Sequence, residues 1–436
     1  MIVRPAKLVR GRLSMPGDKS ISHRAAMIAA LAEGTSRIGN FSTSDDCAAT
    51  LSSLTQLGVS IERDGHELLV HGAGAKGLRA RVEPLDCANS GTTMRLLAGI
   101  VAGQNFKSTL TGDESLRLRP MARIIEPLLM MGARISSNDG RAPLMIEGHK
   151  PLKAINYDLL VASAQVKSCI LLAGLSAAGR TAVTENEPTR DHTERMLRWF
   201  GVPLEVSDVE GLRAVTVDGP ARFNARDVSI PGDISSAAYF IAAAALLPGS
   251  SLEITGVGVN PTRLMFLEQL RSWGFDVAAG DVREECHEPV GTIRVSGSKS
   301  SDASDFKPAA PLRGPLIPQL IDELPLLAVV GSQIEGGIEI RDAAELRAKE
   351  SDRIAATVQS LRAMGAEVEE FADGLRVSGP TQLRGAEIDP RGDHRIAMAF
   401  SVAGLIAEGE TEIKNSDCVA MSFPEFFGLL ESVIER

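Results

Sequence analysis

The sequence predicts an α/β protein of two domains, three βαβαββ-like units in each, with buried helices and outer sheets. Three observations carry that expectation. A small-residue, apolar helical segment closed by glycine recurs at intervals of roughly seventy to ninety residues. An amphipathic segment, also ending in glycine, alternates with it and leads into short runs of alternating polarity. The chain has 436 residues, more than one core usually organises, which favours two domains of roughly 200 residues each.

In chain order the apolar segments are SHRAAMIAALAEG to Gly34, GTTMRLLAGIVAG to Gly103 and QVKSCILLAGLSAAG to Gly179. They return as SSAAYFIAAAALLPG to Gly249, DELPLLAVVGSQIEG to Gly336 and DHRIAMAFSVAGLIAEG to Gly409. Apolar on nearly every face, they must be buried, and each closing glycine suits the left-handed position beyond a helix end. The amphipathic segments are TLSSLTQLGVSIE at Gly58, RIIEPLLMMGARIS at Gly132, RMLRWFGVPLEV at Gly201, LMFLEQLRSWGFDV at Gly274 and VQSLRAMGAEVEE at Gly365, with PEFFGLLESVIE as a sixth. Strands ending in glycine follow: LLVHG, LMIEG, VTVDG, IRVSG and LRVSG. A doubly wound parallel sheet would instead show continuous Val/Ile/Leu runs, which are scarce. MPGDKSIS at Met15 echoes IPGDISSA at Ile230, each opening an apolar helix. If both mark crossings between domains, one domain is 1–14 plus 232–436 and the other 15–231.

Composition narrows the function. Hydrophobic residues at 44% and charged residues at 23% exclude a disordered chain. A net charge of −10 with 4% aromatics argues against nucleic-acid binding. Cys47, Cys87, Cys169, Cys286 and Cys418 show no zinc or redox spacing, as expected of a reduced cytoplasmic chain without structural metal. MIVRPAKLVRGRL lacks the apolar stretch of a secretory signal. The run Tyr239 to Leu247 falls far short of the ~20 residues that span a bilayer. Neither GxxxxGK[ST] nor a convincing GxGxxG occurs, and GAGAKG at Gly72 to Gly77 is a turn after a strand. Among the histidines, His394 beside Asp393 and Arg395 is a site candidate; the others are expected at the surface or as caps.

Cations crowd the helix starts, where the macrodipole disfavours them by ~0.3–1 kcal/mol each. Lys19 and Arg24 open the first apolar helix, Arg95 and Lys167 the next two, and Arg395 the last. Ser20, Ser22, Asn89, Ser90, Thr92, Thr93, Ser163 and Gln165 flank them. N-capping accounts for any one of these polar residues but not for the arginines. In an acidic protein the set points to a phosphate- or carboxylate-bearing substrate. In LRAKESDRIAA, read as one helix, Lys349 and Arg353 share a face at i,i+4 with Glu350 one step round. Ordinary surface ion pairs are the competing reading. Asp322 in IDELP is a second candidate carboxylate, or a cap before Pro325. Two carboxylates among cations could divide acid and base roles.

PGDKSISHR, NSGTTMR, LRPM, SAQVKS, TRDHTERML, PGDISSA, IDELP, RAKESDR, DHRIAMAF and SFPEFF, in this order along the whole chain, resemble the enolpyruvyl transferases. NSGTTMR and KESDR resemble the branch that acts on shikimate 3-phosphate. The resemblance implies a two-domain inside-out α/β barrel. It implies transfer of the enolpyruvyl group of phosphoenolpyruvate to the 5-hydroxyl of shikimate 3-phosphate, with release of phosphate, on the route to chorismate and aromatic amino acids. It also implies a cytoplasmic monomer that needs no metal or organic cofactor.

By motif, Lys19, Ser20 and Arg24 would hold shikimate 3-phosphate, Lys19 also reaching phosphoenolpyruvate. Ser163, Ala164, Gln165, Lys349, Arg190 and Asp322 would complete the shikimate 3-phosphate site. Gly91, Arg119, Arg353 and Arg395 would grip phosphoenolpyruvate, helped by Gln165. Asp322 would accept the hydroxyl proton and Glu350 protonate the methylene carbon, with Lys19 beside the reacting atoms. The family's inhibitor glyphosate, longer than phosphoenolpyruvate, would occupy the same position, so Gly91 implies sensitivity to it. Because the cations come from both domains, an open cleft is expected without ligand.

Two departures stand out: Met421 where the family often has lysine, and Ser163-Ala164 where many relatives have two serines. The UDP-N-acetylglucosamine branch usually carries a cysteine shortly before its Arg-Pro pair, whereas GDESLRL at Gly112 to Leu118 has none. A non-catalytic anion-binding protein of the same fold would have little reason to keep both Asp322 and Glu350.

Overall fold

The apolar segments are helices buried on nearly every side. A computed structural model describes residues 1–74, 77–209, 211–297 and 310–436; Ala75 and Lys76 of the GAGAKG turn lie outside the described residues. Numbered along the chain, the apolar helices are α1 (Lys19–Leu31), α3 (Gly91–Ala102), α6 (Ala164–Gly174), α8 (Ile234–Leu246), α11 (Leu324–Gly331) and α13 (His394–Ile406). The amphipathic helices are α2 (Asp45–Gln56), α5 (Ala122–Met130), α7 (His192–Trp199), α9 (Met265–Ser272), α12 (Arg353–Ala363) and α14 (Phe426–Val433). Two short helices, α4 (Glu114–Leu118) and α10 (Leu316–Leu320), complete the set among the described residues.

The chain divides into two compact units. One comprises Met1–Pro16, Pro231–Arg283 and Pro289–Arg436; the other comprises Gly17–Ile230 and Glu284–Glu288. Each has its own hydrophobic core. In the second unit α1, α3 and α6 form the centre, and Gly99 lets α3 approach α6 so closely that a Cβ there would lie 2.2 Å from the Cys169 carbonyl oxygen.

Sheets of three to five strands cover these helices. After α1, strand Glu33–Gly39 pairs antiparallel with Glu67–Ala73, which pairs antiparallel with Ser60–Asp64. Lys107–Thr111, Arg141–Glu147 and Arg134–Asn138 repeat the pattern after α3, and Ala177–Glu185, Leu212–Gly219 and Leu204–Val209 repeat it after α6. The alternation works as expected of a half-buried strand: Leu68 and Val70 face the core, while Glu67, Leu69 and His71, which alternate with them, are more exposed. Helices inside and sheets outside are therefore the observed order.

Two glycine classes have different physical reasons. The left-handed position beyond a helix end belongs to the amphipathic helices: Gly58, Gly132, Gly201, Gly274 and Gly365 all have positive φ. At each, the glycine amide and the next amide bond back to the last turn, as in Gly58 N to Thr55 O and Val59 N to Leu54 O, the Schellman pattern. Of the glycines closing the apolar segments, Gly34, Gly179, Gly249, Gly336 and Gly409 do have positive φ, but they lie further along than the residue directly beyond the helix end, which corrects that part of the expectation. Gly103 is itself a cap with φ −84°, and α1 passes through an extended Ala32 straight into a strand.

The glycines ending the short strands permit close approach. A Cβ at Gly72, Gly148, Gly219, Gly297 or Gly379 would lie 2.2–2.4 Å from a carbonyl oxygen at or just beyond the end of a buried helix. Gly148→Ala should therefore destabilise the protein by about 1–3 kcal/mol through forced backbone displacement. Gly428→Ala, inside α14 with nothing within 4 Å of its Cβ position, should stabilise by about 0.5–1 kcal/mol. Denaturant titration of both variants checks the pair, and equal shifts would contradict the close-approach account.

Candidate active site

In the second unit the starts of α1, α3 and α6 carry the predicted polar residues. Asp18 caps α1 by accepting the Ile21 amide, Ser90 caps α3 through the Thr93 amide, and Ser163 caps α6 through the Val166 amide. Capping thus occupies Ser90 and Ser163, whereas Ser20 is not a cap. Half-buried, Ser20 gives its carbonyl oxygen to Arg24 Nη1 at 2.8 Å. Lys19 Nζ lies 2.7 Å from Asp46 Oδ2 in the first turn of α2.

Arg24 is buried. Its Nε donates to Thr193 Oγ1 at 2.7 Å and its Nη2 to Ser168 Oγ at 2.9 Å. Burial pulls its pKa down to about 10, opposed in part by Glu194. Arg190 lies half-buried just before α7 and adds to the cationic field on Arg24.

Around the start of α3, Arg95 Nη1 donates to Gln165 Oε1 at 2.7 Å, and Gln165 Nε2 donates to Thr92 Oγ1 at 2.9 Å. Arg119 donates through Nη2 to Asn89 Oδ1 and, at 3.3 Å, to Ser115 Oγ. A Cβ on Gly91 would lie 2.8 Å from Arg95 Nη1 and 3.4 Å from Arg119 Nη1. Gly91, Arg95, Arg119 and Gln165 are therefore one group. Ala164 opens α6 beside Gln165, and its carbonyl oxygen accepts Ser168 Oγ at 2.6 Å.

Lys167 departs from the expectation of a ligand-facing cation. It is fully buried, with Nζ 2.9 Å from Glu185 Oε1 and 2.7 Å from Glu194 Oε1. Arg213 joins the cluster through Glu185 at 2.5 Å. Two internal carboxylates, not a bound anion, offset its position at the start of α6.

In the first unit the charged residues converge on Arg353, which opens α12 and is 1% exposed. Its Nε lies 2.8 Å from Asp393 Oδ2, its Nη2 2.6 Å from Glu350 Oε2, and its Nη1 3.6 Å from Asp322 Oδ1. Burial works against its charge, but Asp393 and Glu350 outweigh burial and raise its pKa. Arg395 Nη1 donates to the Asp322 carbonyl oxygen at 3.1 Å, and Nη2 lies 3.5 Å from Asp322 Oδ2. Its pKa is also raised: burial again opposes the charge, and Asp322 leads the groups that hold it.

The KESDR segment is not one helix. A 3₁₀ turn spans Ala344–Ala348, Lys349 is extended, and Asp352 caps α12 by accepting the Ala355 amide. The break separates Lys349 from Arg353, and Lys349 Nζ instead meets Glu345 Oε1 at 3.1 Å. Glu350 reaches Arg353 across the break. Asp322 is not a cap either, because Glu323 holds that position before α11.

Sequence reasoning missed Asp46, Asp393, Glu185 and Glu194 as counter-charges. It also placed His23 and His192 at the surface or in caps, yet both are buried, His192 with Nδ1 2.7 Å from Glu288 Oε1. Two signals were present: acidic residues at the start of α2, and Asp393 directly before His394 and Arg395.

The EPSP synthase (3-phosphoshikimate 1-carboxyvinyltransferase) family model matches residues 3–430. The 3-phosphoshikimate 1-carboxyvinyltransferase of Koribacter versatilis (strain Ellin345) is 52% identical over 435 residues, covering 100% of this chain and 99% of that one. A solved EPSP synthase from Acinetobacter baumannii aligns at a TM-score of 0.85 with 41% identity, covering 99% of this chain and 97% of that one. The enolpyruvyl transferase NikO from Streptomyces tendae, 19% identical at a TM-score of 0.79 over 99% of this chain and 96% of its own, shares the fold. The architecture is the enolpyruvyl transferase fold, and the chain belongs to the EPSP synthase family.

Lys167→Met should destabilise the ligand-free protein by about 3–5 kcal/mol, since it removes the fully buried cation of Glu185 and Glu194 and leaves them only the more exposed Arg213. Chemical denaturation measures this. Unchanged or higher stability would show that the Lys167 charge is held for a ligand.

Proposed function

We propose that this chain transfers the enolpyruvyl group of phosphoenolpyruvate to the 5-hydroxyl of shikimate 3-phosphate, releasing phosphate, with the residues above in the roles that follow. The observation that supports this most strongly is the grouping of Asp322 and Glu350 on the single buried guanidinium of Arg353. Two carboxylates set against one fixed cation suit a reaction in which one proton leaves an alcohol and another reaches a carbon.

Asp322 accepts the proton of the 5-hydroxyl as its oxygen bonds to the central carbon of phosphoenolpyruvate. Glu350 delivers a proton to the methylene carbon, giving a tetrahedral intermediate that still carries the phosphate. Lys19, Arg119, Arg353 and Arg395 stabilise its negative charge. The new methyl group returns a proton to Glu350 as the carbon–oxygen bond to phosphate breaks and the double bond is restored, and the departing phosphate takes the proton held by Asp322. Gly91 and Gln165 place phosphoenolpyruvate with these cations. Ser20, Arg24, Ser163, Ala164, Arg190 and Lys349 hold shikimate 3-phosphate. The reading includes a cytoplasmic monomer acting without metal or organic cofactor.

Phosphate release from phosphoenolpyruvate should require shikimate 3-phosphate, and UDP-N-acetylglucosamine should not replace it. Glu350→Gln and Asp322→Asn should each lower kcat by ~10²–10⁴-fold while shikimate 3-phosphate binding, read by calorimetry, stays near wild type. Losses of only a few-fold in both would remove them from the proton transfers. Gly91→Ala puts a methyl against Arg95 and Arg119. It should raise the inhibition constant for glyphosate more than the KM for phosphoenolpyruvate. Equal inhibition of both proteins at matched phosphoenolpyruvate saturation would contradict that placement.

A further inference from the structure

Beneath the starts of α1 and α3 runs a chain of hydrogen bonds that the proposed reaction does not use. His23 Nδ1 lies 2.7 Å from Thr50 Oγ1, Thr50 Oγ1 lies 2.6 Å from Thr93 Oγ1, and Thr93 Oγ1 lies 2.8 Å from Ser90 Oγ. All four residues have 0% exposure. The chain joins α1, α2 and α3 and ends on the cap of α3, where Ser90 Oγ also accepts the Thr93 amide at 3.1 Å.

Its proton order follows from counting. A hydroxyl has one proton. That of Thr93 is directed at Ser90 Oγ, with the Asp46 carbonyl oxygen at 3.4 Å as a second acceptor. Thr50 must then donate to Thr93 and accept from His23, so the imidazole carries its proton on Nδ1. Nε2 is left as a bare lone pair, and among the described residues it has no hydrogen-bond partner. The reverse order would bury an Nε2–H with no acceptor, which folded proteins rarely tolerate. Burial first, then Lys19 and Arg24, hold the His23 pKa well below its ordinary value, with Asp18 opposing, so the ring keeps a single proton.

We propose that His23 is a positioning residue for phosphoenolpyruvate: as the terminal donor it orders Thr50, Thr93 and Ser90, and so fixes the first turn of α3 at Gly91. The inference rests on the reading that this end of α3 takes phosphoenolpyruvate.

The test is steady-state kinetics with both substrates on four variants, with thermal denaturation as a check of folding. His23→Leu removes the donor, and Thr50→Val cuts the chain. His23→Asn sets an amide N–H near the place of Nδ1–H, and Thr50→Ser keeps the hydroxyl. His23→Leu and Thr50→Val should each raise the KM for phosphoenolpyruvate roughly three- to ten-fold, the range of one lost buried hydrogen bond. The KM for shikimate 3-phosphate and kcat should stay within about two-fold. His23→Asn and Thr50→Ser should return the phosphoenolpyruvate KM to within about two-fold of wild type.

A combined His23→Leu/Thr50→Val protein should be no worse than either alone, because both break one chain. If His23→Leu does not fold, the two Thr50 variants decide alone. A rise in both KM values together, no change in either, or failure of the conservative variants to restore the KM would overturn the proposal. Wild-type turnover with any of those results sinks only the positioning role. Absence of wild-type turnover with shikimate 3-phosphate would sink the functional reading and this inference with it.

Discussion

The positive ends of buried helices dominate this molecule, because their first turns carry cations that the helix dipole repels. Every such cation needs an answer. Lys19 finds Asp46, Lys167 finds Glu185 and Glu194, Arg353 finds Asp393 and Glu350, and Arg395 finds Asp322. Arg95 in α3 donates to oxygens of Gln165 and Pro120, and Arg119, at the C-terminal cap of α4, donates to Asn89 and Ser115. Internal carboxylates thus hold Lys19, Lys167, Arg353 and Arg395 in place at the helix starts.

Local patterning was legible in the sequence wherever the physics is local. Apolar helices, amphipathic helices and half-exposed strands each carry a period, and the repeat of all three defines the architecture. The glycines were visible, but their reasons were not. One class needs a backbone angle and the other needs room beside a helix carbonyl, and only packing distinguishes Gly58 from Gly72. KESDR misled as a single helix because Asp352 begins a new one, a capping choice that outcompetes continued helical spacing.

Charge pairing was the least legible layer. Lys167 meets carboxylates eighteen and twenty-seven residues further along, and Arg353 meets Asp393 forty residues on. No periodicity marks such partners. His23 shows the same limit from the other side. Its neighbours Lys19 and Arg24 in sequence resemble a surface cluster, yet the helix turns it inward against Thr50, and it becomes a neutral hydrogen-bonding group. Motif resemblance identified the family where spacing could not, because it reads segments spread along the whole chain together.

Amide hydrogen exchange of the second unit's helix starts tests the central claim most directly. Helix geometry leaves the first-turn amides without intrahelical acceptors. In α3 and α6 these include Gly91, Thr92, Ala164 and Gln165, which lie outside the bonds that Ser90 and Ser163 provide to Thr93 and Val166. Shikimate 3-phosphate together with phosphoenolpyruvate should slow exchange at these amides well beyond any change in the middle of the same helices. Unaltered exchange at these first turns, in protein saturated with both ligands, would contradict the account.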